Sequence, residues 1–188
     1  MTAEPLPIVV TGGRRYADPP RGGLAGRVAG ALRAALRAHP SGVAVAHGAN
    51  PASMGGDALC GRACAELRRE GLPAQVRGFA VEPGLDGAWP AAGNRRNARM
   101  VRAHRPLLAI GFPDPGSRGT WHCLAAAASH RADLLIDLAA LPAEVAVSVA
   151  RRALREYGCE LGDVLWVPEG WIARGPLAEA VLEGLIDM

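Results

Sequence analysis

Short apolar runs that end in small-residue turns, each followed by a stretch of helical periodicity, constrain this chain more than any other feature. Ile8-Val9-Val10 ends at Thr11-Gly12-Gly13, Val43-Ala44-Val45-Ala46 ends at His47-Gly48, and Leu107-Leu108-Ala109-Ile110-Gly111-Phe112 leads into Pro115-Gly116-Ser117. Between them, Leu24, Val28, Leu32 and Leu36 recur every four residues until Pro40, and Leu59, Ala63 and Leu67 share a face between Asp57 and Glu70. Val76–Phe79 reads as a third, shorter strand, the 82–90 stretch as a loop, and Leu134–Asp137 as the strand after the 107–112 run. Strand and helix in alternation predict an α/β fold: a Rossmann-like three-layer sandwich around a mainly parallel sheet. After Pro142 the pattern gives a helix, then Val164–Val167 as a sixth strand or packed extension, then a helix with Pro176 in its first turn.

Length and composition fit one domain over 1–188, since 188 residues at 49% hydrophobic content supply a core of ordinary size. No window approaches the ~18 uninterrupted apolar residues of a membrane span. The start Met1-Thr2-Ala3-Glu4-Pro5 lacks a basic region and an apolar core, so a cytoplasmic chain without a membrane partner is expected. The four cysteines then default to reduced thiols. All 21 basic residues are arginine, which excludes Schiff-base, P-loop and general-base lysine chemistry and leaves bidentate recognition of phosphate or carboxylate. A net charge of +3 is too small to imply nucleic-acid binding by itself.

The turns at Thr11, His47 and Pro115 all follow strands and so belong on the carboxyl edge of the sheet, where open α/β sheets bind ligands. In Gly116-Ser117-Arg118-Gly119-Thr120 small residues admit a phosphate to the backbone, two hydroxyls can donate, and a helix start adds its positive end. Any strand-to-helix turn can use glycine, and the phosphate reading rests on the other motifs beside it. Arg95, Arg99 and Arg102 share one helical face and read as a solvated basic face, whereas Arg96 points elsewhere.

Thr11-Gly12-Gly13-Arg14-Arg15-Tyr16, His47-Gly48-Ala49-Asn50 with the later Gly55-Gly56-Asp57, Ala92-Gly93-Asn94-Arg95-Arg96-Asn97-Ala98-Arg99-Met100 and Pro115–Thr120 follow one another in this order. Together they resemble the SLOG superfamily of Rossmann-like proteins, in particular its YspA-like, YpsA-related branch, over about residues 8–137. Residues 141–188 form a C-terminal extension outside that resemblance. It implies a nucleotide or nucleoside-derived ligand, held by Thr11, Gly12, Gly13, Arg14, Tyr16, His47, Gly48, Ala49, Asn97 and the residues Gly116, Ser117, Arg118, Gly119 and Thr120. A homodimer is the expected assembly, and no cofactor is called for.

Arg96-Asn97-Ala98-Arg99-Met100 is also similar to a segment of the lonely-guy phosphoribohydrolases, another SLOG branch, whose arginine is implicated in catalysis. Those enzymes carry a glutamate after the glycine turn, and Cys123 stands at that place here. A neutral thiol neither stabilises an oxocarbenium-like state nor activates water well. The sequence therefore favours a binding or sensing role, with N-glycosidic hydrolysis through Arg96 and Asp57 as the second reading and nucleic-acid binding through the arginine-rich helix as the third. Asp57, Asp114 and Glu82 are the candidate replacement carboxylates, and Asp57 is equally explained as a helix cap. His47 is read either as a proton-transfer group or as a histidine satisfied by backbone. Trp89 and Trp121 flank the site as base contacts or as packing. Cys60 and Cys64 read as core thiols, with no metal site expected.

Overall fold

A computed structural model describes residues 4–13, 23–49, 55–114, 116–167 and 169–187. The strand β1 (Leu6–Gly12) leads to the helix α1 (Gly23–Ala38), β2 (Val43–Gly48) to α2 (Gly56–Arg69), and β3 (Ala74–Phe79) to the short α3 (Pro83–Asp86) and then α4 (Ala92–His104). Next come β4 (Leu108–Phe112), α5 (Arg118–Ser129), β5 (Asp133–Asp137), α6 (Ala146–Arg155), β6 (Leu165–Trp166), β7 (Trp171–Arg174) and α7 (Pro176–Ile186).

These strands form one sheet in the order β3-β2-β1-β4-β5-β7-β6. β1 to β5 run parallel, β7 is antiparallel to β5, and β6 is antiparallel to β7. The chain steps outward from β1 through β2 to β3 and then returns to place β4 on the other side of β1. That reversal opens a crevice between the carboxyl ends of β1 and β4.

Alternation along the strands builds two cores. Ile8, Val10, Val45, Ile110 and Leu135 face α1, α2 and α7. Val9, Ala109, Leu134 and Ile136 face α4, α5 and α6. The sheet is thus the middle layer of the α/β/α sandwich expected from the sequence, and β4, covered on both faces, is buried throughout. Ile110 is fully buried, and its truncation to alanine is worth about 2–5 kcal/mol of stability. Among the described residues no helix is long and apolar enough to cross a membrane.

Three local expectations are corrected. The loop 82–90 contains a helical turn, α3, with Pro83 in its first turn and the Asp86 carboxylate accepting the Glu82 amide at 2.8 Å. The basic face of α4 is solvated at Arg95 and Arg102, both exposed, and departs from that expectation at Arg99, which is half-buried. Arg99 pairs with Glu82 and Asp86, each at 2.8 Å, and Arg95 donates to the carbonyls of Asp86 and Ala88, while Arg102 is exposed. Single-helix spacing cannot reveal acidic partners that arrive from a preceding turn.

The C-terminal extension is the third. The strand expected over 164–167 shrinks to Leu165–Trp166 on the sheet edge, and the strand that joins the sheet firmly is Trp171–Arg174, in register with β5 from Asp137 opposite Trp171 to Leu134 opposite Arg174. Asp133 of β5 caps α7 by accepting the Leu177 amide at 2.7 Å, and Asp137 of β5 pairs with Arg27 of α1, which also lies over the Trp171 ring. Within the extension, β7 and β6 add two antiparallel strands to the sheet.

Candidate functional site

A cleft of about 710 Å³ occupies the crevice at the strand-order reversal. Thr11, Gly12 and Gly13 at the end of β1 and Gly48 at the end of β2 line it, with Asp57 from the first turn of α2, Arg96 and Asn97 from α4, and Asp114 with Gly116, Ser117, Arg118, Gly119 and Thr120 after β4. The motifs that lie far apart in sequence meet because parallel strands carry all their following turns to the same edge.

Arg96 is the cation that the sheet edge receives. Its Nη1 donates to the Phe79 carbonyl at 2.8 Å, and that same oxygen accepts the Ala49 amide at 2.9 Å. The guanidinium lies so close over Gly48 that a β-carbon there would come within 1.9 Å of Nη1, so a side chain at this point of β2 would have to push the Arg96 guanidinium aside. The Arg96 Nε is buried without a hydrogen-bond partner among the described residues. A buried N–H on a permanently charged group is a costly omission unless something supplies an acceptor.

The turn after β4 is partly self-satisfied. The Asp114 carboxylate accepts the Gly116 amide at 2.8 Å, the Asp114 carbonyl accepts the Ser117 amide at 3.1 Å, and the Gly116 carbonyl accepts the Arg118 amide at 2.9 Å. The Ser117 hydroxyl accepts the Asp114 amide at 2.6 Å. Among the described residues the first bond into α5 is Trp121 N–H to Ser117 O, and the amides of Gly119 and Thr120 precede it at the helix start. Asn97, buried, donates from Nδ2 to the Gly119 carbonyl at 2.9 Å and fixes that start against α4. The anion-binding reach expected of the whole turn thus narrows to its last two amides, together with the exposed Arg118.

Of the other expected site residues, Arg14 and Tyr16 lie outside the described residues. His47 and Ala49 do not line the cleft. Strand alternation puts His47 with Val43 and Val45 on the α2 side of the sheet, between Gly61 and Gly78. Its Nδ1 lies 3.2 Å from the Gly48 carbonyl, and burial depresses its pKa, which fits the backbone-satisfied reading. Trp121 is buried in the core of the α4 to α6 face, as packing would have it.

Cys123 is fully buried beneath the cleft floor, and burial pushes its thiol up to about 12, against the opposing influence of Arg96 and of a hydrogen bond with Thr11. Cys60 and Cys64 are both buried on α2, and the Cys60 thiol is held protonated by its bond with Cys64 and by burial. No group of three or more His, Cys, Asp or Glu able to hold a metal ion occurs among the described residues.

Two aromatic residues complete the cleft. Trp89, 63% exposed, stands just before α4, and Tyr157 reaches in from beyond α6, its ring edge-on to His122 at 5.4 Å. Tyr157 carries no sequence signal, because it enters from the extension outside every motif. No family model, curated protein or solved structure matches the chain.

Proposed function

We propose that the chain is a SLOG-type protein that binds a nucleotide or nucleoside-derived phosphate ligand in this cleft, as a sensor or processing protein. The observation that carries the reading is Arg96, whose guanidinium enters a cleft also faced by the start of α5 at the strand-order reversal. A fixed cation beside helix-start amides suits a phosphate, which accepts several charge-assisted hydrogen bonds at once. Each of the four motifs behind the SLOG resemblance contributes residues to the lining of this cleft, such as Thr11, Gly48, Arg96 and Thr120.

Hydrolysis of the base–ribose bond is the second reading, favoured by one observation: Asp57 lines the same cleft as Arg96. Binding ranks ahead of it because Cys123, at the place of the phosphoribohydrolase glutamate, is a buried and protonated thiol. Nucleic-acid binding by α4 ranks third, since Arg95 and Arg99 are engaged with the 82–88 segment. Mass spectrometry of small molecules released from heat-denatured purified protein tests the proposal. A nucleotide or nucleoside phosphate in the released fraction is the expected result, and a released ligand without a phosphoryl group would contradict it.

A further inference from the structure

The cleft has a second recognition surface besides its charged floor. Trp89 is 63% exposed, a large apolar ring left in water on the lining of the cleft that Arg96 also lines. Its ring edge lies over Gly93 in the first turn of α4, where a β-carbon would come within 3.3 Å of Cζ3.

The segment that carries Trp89 is braced from beneath. Arg99 binds Asp86 in a two-pronged contact at 3.1 and 2.8 Å, Glu82 at 2.8 Å and the Ala80 carbonyl at 2.8 Å, and Arg95 donates to the carbonyls of Asp86 and Ala88. Asp86, only 1% exposed, is held ionised, its carboxyl drawn down to about 2 chiefly by the Arg99 hydrogen bonds. One helix thus carries the cation of the cleft, Arg96, and through Arg95 and Arg99 holds the chain just before Trp89. Tying down the chain beneath an exposed indole lowers the entropic cost of stacking on it.

We infer that Trp89 stacks on the planar heteroaromatic ring of the ligand and makes the cleft selective for nucleotides over ring-less sugar phosphates. The inference rests on the phosphate-binding reading of the same cleft. Stacking engages the π-face that all bases share, so Trp89 recognises the presence of a base rather than its identity.

The test is calorimetric titration of the full chain with adenosine 5′-monophosphate, cytidine 5′-monophosphate and ribose 5-phosphate, comparing the unmodified protein with Trp89→Ala, Trp89→Phe and Trp166→Ala. Trp166, exposed on β6 away from the cleft, is the control. The unmodified protein and Trp166→Ala should bind both nucleotides about tenfold or more tightly than ribose 5-phosphate. Trp89→Ala should lose that preference while ribose 5-phosphate affinity stays within about twofold, and Trp89→Phe should restore most of it. Equal affinity for nucleotides and ribose 5-phosphate in the unmodified protein would overturn the inference and leave phosphate binding intact. A parallel loss for all three ligands in Trp89→Ala would also overturn it, marking a structural role. Binding of none of the three by the unmodified protein would overturn both this inference and the reading beneath it.

Discussion

The guanidinium of Arg96 fills the space that a side chain on Gly48 would need, so the end of β2 and the second turn of α4 are matched as a glycine and the arginine laid over it. Gly48→Ala should therefore act on the cleft through Arg96. The added methyl must displace Nη1 and its bond to the Phe79 carbonyl, and nucleotide binding should weaken by about 1.5–3 kcal/mol, the worth of a charge-assisted contact. Calorimetry on Gly48→Ala checks this, with Gly61→Ala on α2 as the control, where the nearest atom to a new β-carbon is His47 Nε2 at 3.9 Å.

The Asp86–Arg99 pair should make the 80–90 segment sensitive to acid. The folded carboxyl titrates near 2, below the usual 3.8, so the native state favours its ionised form. Its contribution is complete above about pH 4 and is lost as the pH falls from there through about 2. Asp86→Asn should destabilise the protein by about 1.5–3 kcal/mol at pH 7 and by much less near pH 2. Denaturant titrations at the two pH values measure the difference, and an equal loss at both would show that charge is not the cause.

Cys123 should be chemically silent in the native protein. A thiol raised to about 12 and wholly buried offers iodoacetamide neither a thiolate nor access, so alkylation at pH 8 should require unfolding. Placing a glutamate there, the simplest route from the sequence to a phosphoribohydrolase site, puts a longer and charged side chain into the packed floor. Cys123→Glu should cost about 1–3 kcal/mol from overpacking alone, and more from burying the carboxylate. A thermal melt of the variant checks the cost.

The positions of Cys60 and Cys64 in the α2 core lead to another expectation: purified protein should carry no stoichiometric zinc or iron. About one zinc per chain by elemental analysis, lost in the Cys60→Ser/Cys64→Ser variant, would contradict it.

The layered fold was legible because period-four and short apolar runs alternate without ambiguity: Leu24 to Leu36 gives α1, and Ile8 to Val10 gives β1. The convergence of the turns after β1, β2 and β4 on one sheet edge follows from parallel strand direction, whereas Arg96, inside α4, is singled out by the resemblance of its segment. Other features depend on contacts between distant segments, which local patterns do not encode. Asp86 and Glu82 capture Arg99 from a preceding turn, and the Asp114 carboxylate takes the Gly116 amide of the glycine-rich turn. His47 turns toward α2 because the strand period places it one residue out of phase with Gly48. Trp171–Arg174 carries no periodic signal, because four residues between glycine turns are too short a run to show one.

If the cleft only binds, incubation with a panel of nucleoside monophosphates should release no free base above the uncatalysed background. Base release that Asp57→Asn abolishes without loss of nucleotide binding would move N-glycosidic hydrolysis ahead of the sensor reading. Chromatography of the reaction mixture distinguishes the two.

The central claim, a phosphate held by Arg96 at the start of α5, is tested most directly by the melting temperature of the protein with nucleoside monophosphates against the matching free nucleosides, repeated in Arg96→Ala. Monophosphates should raise the melting temperature far more than nucleosides, and Arg96→Ala should remove most of that gain, about 1.5–3 kcal/mol of binding. Equal stabilisation by nucleoside and nucleotide, or a gain that survives Arg96→Ala unchanged, would contradict the account.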